Sequence, residues 1–550
     1  MSSTLRLDRN EGPPPSAALL AALGGIDPEA MRRYRDVSTL EAALAELCRV
    51  RPDRVIVTAG ADEAIDRACR AYLGPGRTML LAEPTFEMFD HFAALAGGTL
   101  TRVPWPLGPF PIDEFLARLD TRPAVITVVS PNNPTGGVAC ADDVRRLAAA
   151  APEALVLLDH AYVEYADADL TSAVADLPNV LVVRTLSKAW GLAGCRVGYA
   201  IGSPSVIVAL RAAGGPYTVA GPSVALALAQ LNLGKTAVRE HVARVREERR
   251  SLDPRLTALG VTPWPSQANF VYVECGPRAA FLAAALRALG VLVRDFPGRA
   301  GCETALRITL PGDEAEFAQL AQALETALAP QALLLDLDGV LADVRDSQRV
   351  AIAATAASLG VNVSATEVAA AVRGGDAAND WTVTRRLIEG RGAQASLEDV
   401  TARYQDLYLG RPGTPGLREH ERLIPTRALL ERLAARLPLA IVTGRPRDEA
   451  RWFLERAGVA DLFRAVVTME DAPPKPDPAP VRLALERLGA HRAWLVGDTP
   501  DDARAASAAS VLPLGVVAPG DDRAATSAAL ERAGVARVLD DLTALLEVLP

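Results

Sequence analysis

RTLSKAWGLAGCRVGYA, residues 184–200, places a Ser-Lys pair, Ser187-Lys188, at the end of an apolar run and Arg196 eight residues further on in a glycine-rich loop. A lysine at a strand end can form a Schiff base when its amine is neutral or in proton exchange. An arginine offers a planar fork of donors suited to a phosphate. Together they suit an aldehyde cofactor that carries a phosphate. Alone, a Ser-Lys pair is an ordinary solvated lysine; the surrounding segments change that reading.

Three segments do so. SPNNPTGG, residues 130–137, follows the run AVITVVS and sets Asn133 in a sharp turn, a geometry that a Pro-Gly turn alone also explains. LVLLDHAYVEYA, residues 155–166, ends an apolar run on Asp159. A carboxylate there is costly unless it meets a cation. A protonated pyridine nitrogen would serve, and the pairing would keep the ring an electron sink; a helix-capping Asp is the plainer alternative. VIVTAGADEAI, residues 55–65, reads as a strand, a glycine turn and a helix start, whose backbone N–H groups make an anion site.

In this order and spacing the motifs resemble fold-type I aminotransferases, and residues 1–330 are similar to the histidinol-phosphate aminotransferase family. LDRNEGPPP, YRDVSTLEAALAEL, SQANFVYVE and LRITLPG carry the narrower likeness. The resemblance implies pyridoxal 5'-phosphate, with Lys188 as the Schiff-base lysine and proton shuttle. It pairs Asp159 with the pyridine nitrogen, and Asn133 and Tyr162 with the phenolic oxygen. Thr185, Ser187, Arg196 and the Gly60 and Ala61 amides would bind the cofactor phosphate, and Phe86 would stack on the ring. Arg294 and Arg307 would hold the substrate's anionic end. Tyr34 would reach into a neighbouring subunit's site, which implies a homodimer. His160, where the family commonly has glutamate, and Phe86, where tyrosine is common, depart from the pattern, as does LRITLPGDE locally.

ALLLDLDGVLADV, residues 332–344, opens a second series of strands. Asp336 and Asp338, two apart across a bend, suit a nucleophile that becomes an aspartyl phosphate and an acid/base partner; a strand-end Asp-Gly turn is the alternative. Thr443 ends the run LAIVT and can donate to a phosphoryl oxygen. Lys475, in PPKPDP, can neutralise phosphoryl charge. Asp498 and Asp502 follow the run AWLVGD. Asp336, Asp498, Asp502 and the Asp338 backbone carbonyl form an oxygen-rich set suited to Mg²⁺. These four motifs resemble the haloacid dehalogenase (HAD) superfamily, in its phosphatase branch. The half does not resemble the known HAD-type histidinol phosphatases, which lack an inserted cap and carry a cysteine-rich zinc loop.

At 550 residues the chain exceeds a single core. The expected fold is α/β throughout. Residues 1–330 form a fold-type I aminotransferase with a large domain and a small lobe. Residues 331–550 form a HAD-like Rossmannoid domain, core 331–346 and 426–550, with a helical cap over about 347–425. Short apolar runs, such as 54–58, 124–129 and 439–443, read as buried parallel strands. In the cap, residues 374–388 are a candidate specificity segment. All six cysteines precede residue 303 and none forms a Cys-x-x-Cys pair, which argues against disulfide and zinc frameworks. A net charge of −9 argues against a nucleic-acid partner. No apolar run is long enough for a membrane span, and the charged N-terminal stretch lacks the apolar core of a secretory signal, so a cytoplasmic protein is expected. The joined halves suggest two successive steps: transamination between glutamate and imidazole-acetol phosphate, giving 2-oxoglutarate and histidinol phosphate, then hydrolysis to histidinol. The alternatives are another (phospho)amino acid as substrate, by transamination or decarboxylation, with an unrelated phosphatase, or one half as a non-catalytic module.

Overall fold

A computed structural model describes residues 4–374 and 379–550. The chain divides into two compact units. One comprises Leu5–Ala279 and Val293–Gln319; the other takes Ala280–Leu292 and Leu320–Pro550. The helices Ala279–Ala288 and Glu314–Leu328 therefore group mainly with the second unit, although they precede residue 330. The reason is local. Trp494 is fully buried, its indole N–H donates to the Thr326 carbonyl at 2.9 Å, and its ring packs on Phe281 at 5.4 Å between centroids.

The first unit is built on a seven-stranded sheet, in the order Val55–Thr58, Gly198–Gly202, Val180–Thr185, Leu155–Asp159, Val125–Val129, Thr78–Glu83, Thr99–Pro104. The central strands are buried along their whole length and rich in Val and Leu, as strands covered on both faces must be. The expectation of parallel strands fails at one position. Gly198–Gly202 runs antiparallel to both Val180–Thr185 and Val55–Thr58. Its connection from Thr185 holds only the turn Ala193–Cys195 and no crossover helix of the kind that joins parallel neighbours. That short return folds the Ser187–Arg196 segment back over the sheet's end. A second, five-stranded sheet has the order Leu5–Leu7, Val291–Asp295, Ala305–Thr309, Phe270–Glu274, Thr262–Pro263.

The second unit has a six-stranded, all-parallel sheet in the order Phe463–Val467, Leu439–Val442, Ala332–Leu335, Ala493–Gly497, Leu512–Val516, Val538–Leu539. Between its first two strands in sequence lie the helices Gln348–Ser358, Ala365–Arg373, Asp380–Glu389 and Leu397–Leu409, which share their own apolar cluster around Ile352, Val383, Tyr404 and Tyr408. Part of the candidate specificity segment, residues 375–378, lies outside the described residues. Among the described residues no helix is long and apolar enough to cross a membrane.

Trp494→Ala is expected to destabilise the second unit by about 3–5 kcal/mol, through the cavity and the unpaired Thr326 carbonyl. A urea titration followed by phosphatase activity would read this as a lower midpoint, and an unchanged midpoint would contradict the packing described.

Candidate functional site

The carboxyl ends of the first unit's strands meet the segment Asp8–Asn10 around a cavity of about 280 Å³. It is lined by Asn133, Asp159, Tyr162, Lys188, Arg294 and Arg307, with Ala61, Phe86, Thr185, Ser187 and Arg196 also on its wall. Lys188 stands just past the strand Val180–Thr185, and its Nζ lies 3.4 Å from the Arg9 carbonyl and 5.5 Å from the centre of the Tyr162 ring. Asp159, 4% exposed, accepts the Ala161 N–H at 3.0 Å and has no ion pair among the described residues. Burial pushes its carboxyl up to about 7, only partly offset by Ala161 and Lys188.

The phosphate end is equally local. Ser187 N–H donates to Thr185 Oγ1 at 3.1 Å, and the two hydroxyls lie 2.9 Å apart. Gly60, at φ +82°, opens the helix Gly60–Tyr72, and a Cβ there would press on the Arg196 guanidinium. Arg196 meanwhile pairs with Asp62 at 3.0 Å. Arg294 and Arg307, distant in sequence, become direct cross-strand partners. Arg307 is held by Asn133 Oδ1 at 2.7 Å and the Asp8 carbonyl at 2.8 Å, while Arg294 pairs with Glu87 at 3.4 Å. Tyr34 is not on this wall; it is 82% exposed and stacks on Tyr217 at 4.5 Å.

The second unit gathers Asp336, Asp338, Lys475 and Asp498 around a cavity of about 130 Å³, bordered by the inserted helices through Gln348, Val372 and Asp380. Lys475 Nζ lies 2.9 Å from Asp336 Oδ1, also pairs with Asp502, and donates to the Val442 carbonyl at 3.2 Å. Carboxylate oxygens of Asp336, Asp498 and Asp502 all lie within 4.8 Å of one another. Desolvation drives Asp336 up to about 7 despite Lys475, and Asp498 far above the ordinary carboxylate range. Gly339 sits at φ +70°, and a Cβ there would collide with the Asp498 carboxylate. Thr443 is buried behind this wall, where its Oγ1 accepts the Arg445 N–H at 3.1 Å. Asp338 accepts from Gln348 at 3.1 Å and from Arg445 Nε at 2.7 Å. Arg445 in turn holds Glu421 at 2.9 Å and donates to the Tyr408 hydroxyl at 3.1 Å.

A profile of the family described as aminotransferase class I and II matches residues 3–324. The chain belongs to that family. A profile described as haloacid dehalogenase-like hydrolase matches residues 330–510, so this aminotransferase carries a second hydrolase domain. The histidinol-phosphate aminotransferase of Rhodospirillum centenum is 35% identical over 331 residues, which are 58% of this chain and 90% of that one. The crystal structure of histidinol-phosphate aminotransferase from Sinorhizobium meliloti, in complex with pyridoxal-5'-phosphate, superposes with a TM-score of 0.54 at 28% identity, over 58% of this chain and 90% of that one. An imidazoleglycerol-phosphate dehydratase of Phytophthora nicotianae is 44% identical over 197 residues, 34% of this chain. The chain spans only 44% of that relative's length.

Pyridoxal phosphate is the cofactor this aminotransferase fold supports, and the residues fit it. A buried carboxylate without a protein counter-ion faces the same cavity as a lysine amine, and a hydroxyl–guanidinium–amide cradle lies beside them. His160 fills its position as a structural group. Its Nε2 accepts the Leu170 N–H at 3.3 Å, its Nδ1 donates to the Ser130 carbonyl, and burial pushes its pKa down to about 4, so it stays neutral. The sequence motifs missed Asn10, whose amide donates to the Tyr162 hydroxyl at 3.0 Å, and Arg299, which reaches the same wall and donates to the Thr85 carbonyl. Asn10 lies within LDRNEGPPP and could have been found there. Arg299 sits in an irregular loop with no pattern around it. In the hydrolase domain the Arg445–Glu421 pair was missed, because partners far apart in sequence leave no spacing signal.

Asp159→Asn tests the buried carboxylate. The unfolded carboxyl titrates near 3.9 and the folded one near 7, so in wild type the penalty is absent below about pH 4 and complete above about pH 7. Thermal melts of the cofactor-stripped protein should find the variant more stable than wild type at pH 8, with the gap closing toward pH 4. The same variant should lose transaminase activity by at least 100-fold.

Proposed function

We propose that this chain catalyses two consecutive reactions of histidine biosynthesis. The aminotransferase half would transfer the amino group of L-glutamate to imidazole-acetol phosphate, giving histidinol phosphate. The hydrolase half would then release inorganic phosphate and histidinol. The observation that supports this reading is the gathering of both sets of side chains in a single chain whose first half is 35% identical to a histidinol-phosphate aminotransferase.

In the first site, bound pyridoxal phosphate supplies the electron sink for cleaving a bond at the substrate's α-carbon. Lys188 moves the proton at that carbon. Asp159 would hold a positive charge on the pyridine nitrogen, and Asn133 and Tyr162 would orient the ring at its phenolic oxygen. Arg294 and Arg307 offer paired guanidinium forks to a carboxylate or phosphate, which lets two anionic substrates use one site in turn. The exposure of Tyr34, which stacks on the exposed Tyr217, supports a homodimer in which these rings are covered by a second copy.

In the second site, Asp336 would attack phosphorus, with Lys475 balancing the phosphoryl charge. Asp338 would protonate the leaving alcohol and then activate water against the aspartyl phosphate. The oxygen donors of Asp336, Asp498, Asp502 and the Asp338 carbonyl suit Mg²⁺, which would screen the incoming phosphate. Both Asp502 oxygens are already engaged, by Lys475 and by Thr499 at 2.6 Å, leaving Asp336 and Asp498 as the freer pair. We place the halves at 1–330 and 331–550, and the protein in the cytoplasm.

The test is phosphate release from histidinol phosphate with Mg²⁺, without 2-oxoglutarate, compared with other small phosphomonoesters. Preferential release that Asp336→Asn reduces by at least 1000-fold is expected. Release only from unrelated esters would end the pathway reading and leave an aminotransferase joined to another phosphatase. Lys188→Ala should abolish the cofactor's protein-linked absorbance and leave phosphate release intact.

A further inference from the structure

The cavity at Asp336 continues into a smaller one of about 80 Å³, and the two share Asp338, Gln348, Asn379, Asp380 and Gly444. The wall has two electrical halves. Among the described residues every cation on these walls is already paired within the protein. Lys475 is held by Asp336 and Asp502, Arg349 by Asp521, and Arg445, on the wall of the smaller cavity, by Asp338 and Glu421. On the far side stand two carboxylates from separate elements: Asp380, first residue of the inserted helix Asp380–Glu389, and Glu449, on the core helix Arg447–Arg456.

Neither carboxylate has a counter-ion among the described residues. Asp380 accepts one hydrogen bond, from the Tyr404 hydroxyl at 2.6 Å. Glu449, 8% exposed, accepts one, from the Gln405 amide at 2.9 Å. Neutral donors satisfy geometry but do not balance charge away from bulk water. Burial and the nearby Asp338 charge push Asp380 up to about 6, and burial pushes Glu449 up to about 7, with the Arg445 charge only partly offsetting both. Such a pair is costly to keep unless something positive enters.

We propose that Asp380 and Glu449 form the subsite for a protonated amine on the leaving alcohol, so that the hydrolase half selects phosphomonoesters of cationic amino alcohols. The inference rests on the reading of this half as a phosphatase acting on the aminotransferase's product, because transamination places a primary amine on the carbon next to the phosphate-bearing one. The ester oxygen faces Asp338, and Asp338 and Asp380 line both cavities, so the ammonium falls on the acidic side. The phosphate meets Lys475, and a single substrate then answers both halves of the wall.

The experiment uses the full-length protein with Mg²⁺ and a matched pair of esters, O-phosphoethanolamine and 2-hydroxyethyl phosphate, which differ in an ammonium against a hydroxyl. Wild type should favour the ammonium ester by at least tenfold in kcat/KM, mainly through KM. Asp380→Asn and Glu449→Gln should each lower that ratio by at least fivefold. Tyr404→Phe, which removes the hydrogen bond and keeps the charge, should retain the ratio. Equal use of both esters by wild type, with histidinol phosphate still cleaved, would overturn the ammonium subsite and leave the pathway reading standing. Parallel loss on both esters in Asp380→Asn would also overturn it, by assigning Asp380 a structural role. A preserved ammonium preference with histidinol phosphate ignored would sustain the subsite while removing the pathway reading.

Discussion

Carboxylates held dry at the ends of buried strands, with too few protein cations to balance them, govern both units. Asp159 ends a strand covered on both faces, and its displacement to about 7 corresponds to roughly 4 kcal/mol between its two protonation states. Asp336 and Asp498 follow neighbouring parallel strands, and the one lysine beside them, Lys475, pairs with Asp336 and Asp502. A protein keeps such groups when a ligand supplies the missing charge. A pyridinium would do so in the first unit, and a divalent cation in the second. The surrounding architecture then follows. Short returns and glycines bring backbone close to these carboxylates, and the neighbouring strands fix where the ligand's other atoms must lie.

Positioning falls to arginines. Asn133 and the Asp8 carbonyl hold Arg307 in place, which sets one fork of the anion clamp. Arg445, fully buried, fixes Asp338 against Glu421 and Tyr408. An arginine suits both places because its planar fork bonds several acceptors at once and keeps its charge. The acid/base carboxylate of the hydrolase half is thereby oriented from both sides, by Arg445 of the core and by Gln348 and Tyr408 of the inserted helices.

The chemistry was readable in the sequence wherever a functional residue follows directly on a strand. Lys188, Asp159, Asn133, Asp336 and Asp498 all sit at or just past the end of an apolar run, and the fold does put ligands there. Arg294 and Arg307 were found by resemblance; strand pairing supplies the reason for their spacing. What stayed hidden depends on long-range geometry. The antiparallel strand Gly198–Gly202 has the same apolar look as its parallel neighbours, and its direction is set by the length of the connection. Arg299, Arg445, Glu421 and Glu449 lie in loops and helices where composition carries no functional mark. The grouping of the helices Ala279–Ala288 and Glu314–Leu328 with the second unit turns on the burial of Trp494, which no local pattern announces.

The central claim is that the two sites act in series on one substrate. The direct measurement supplies the full-length protein with imidazole-acetol phosphate, glutamate, pyridoxal phosphate and Mg²⁺, and follows 2-oxoglutarate and inorganic phosphate together. The account predicts that phosphate appears after 2-oxoglutarate and never exceeds it, and that Lys188→Ala suppresses both products from this substrate. Phosphate released without 2-oxoglutarate, or 2-oxoglutarate accumulating with no phosphate to follow, would contradict it.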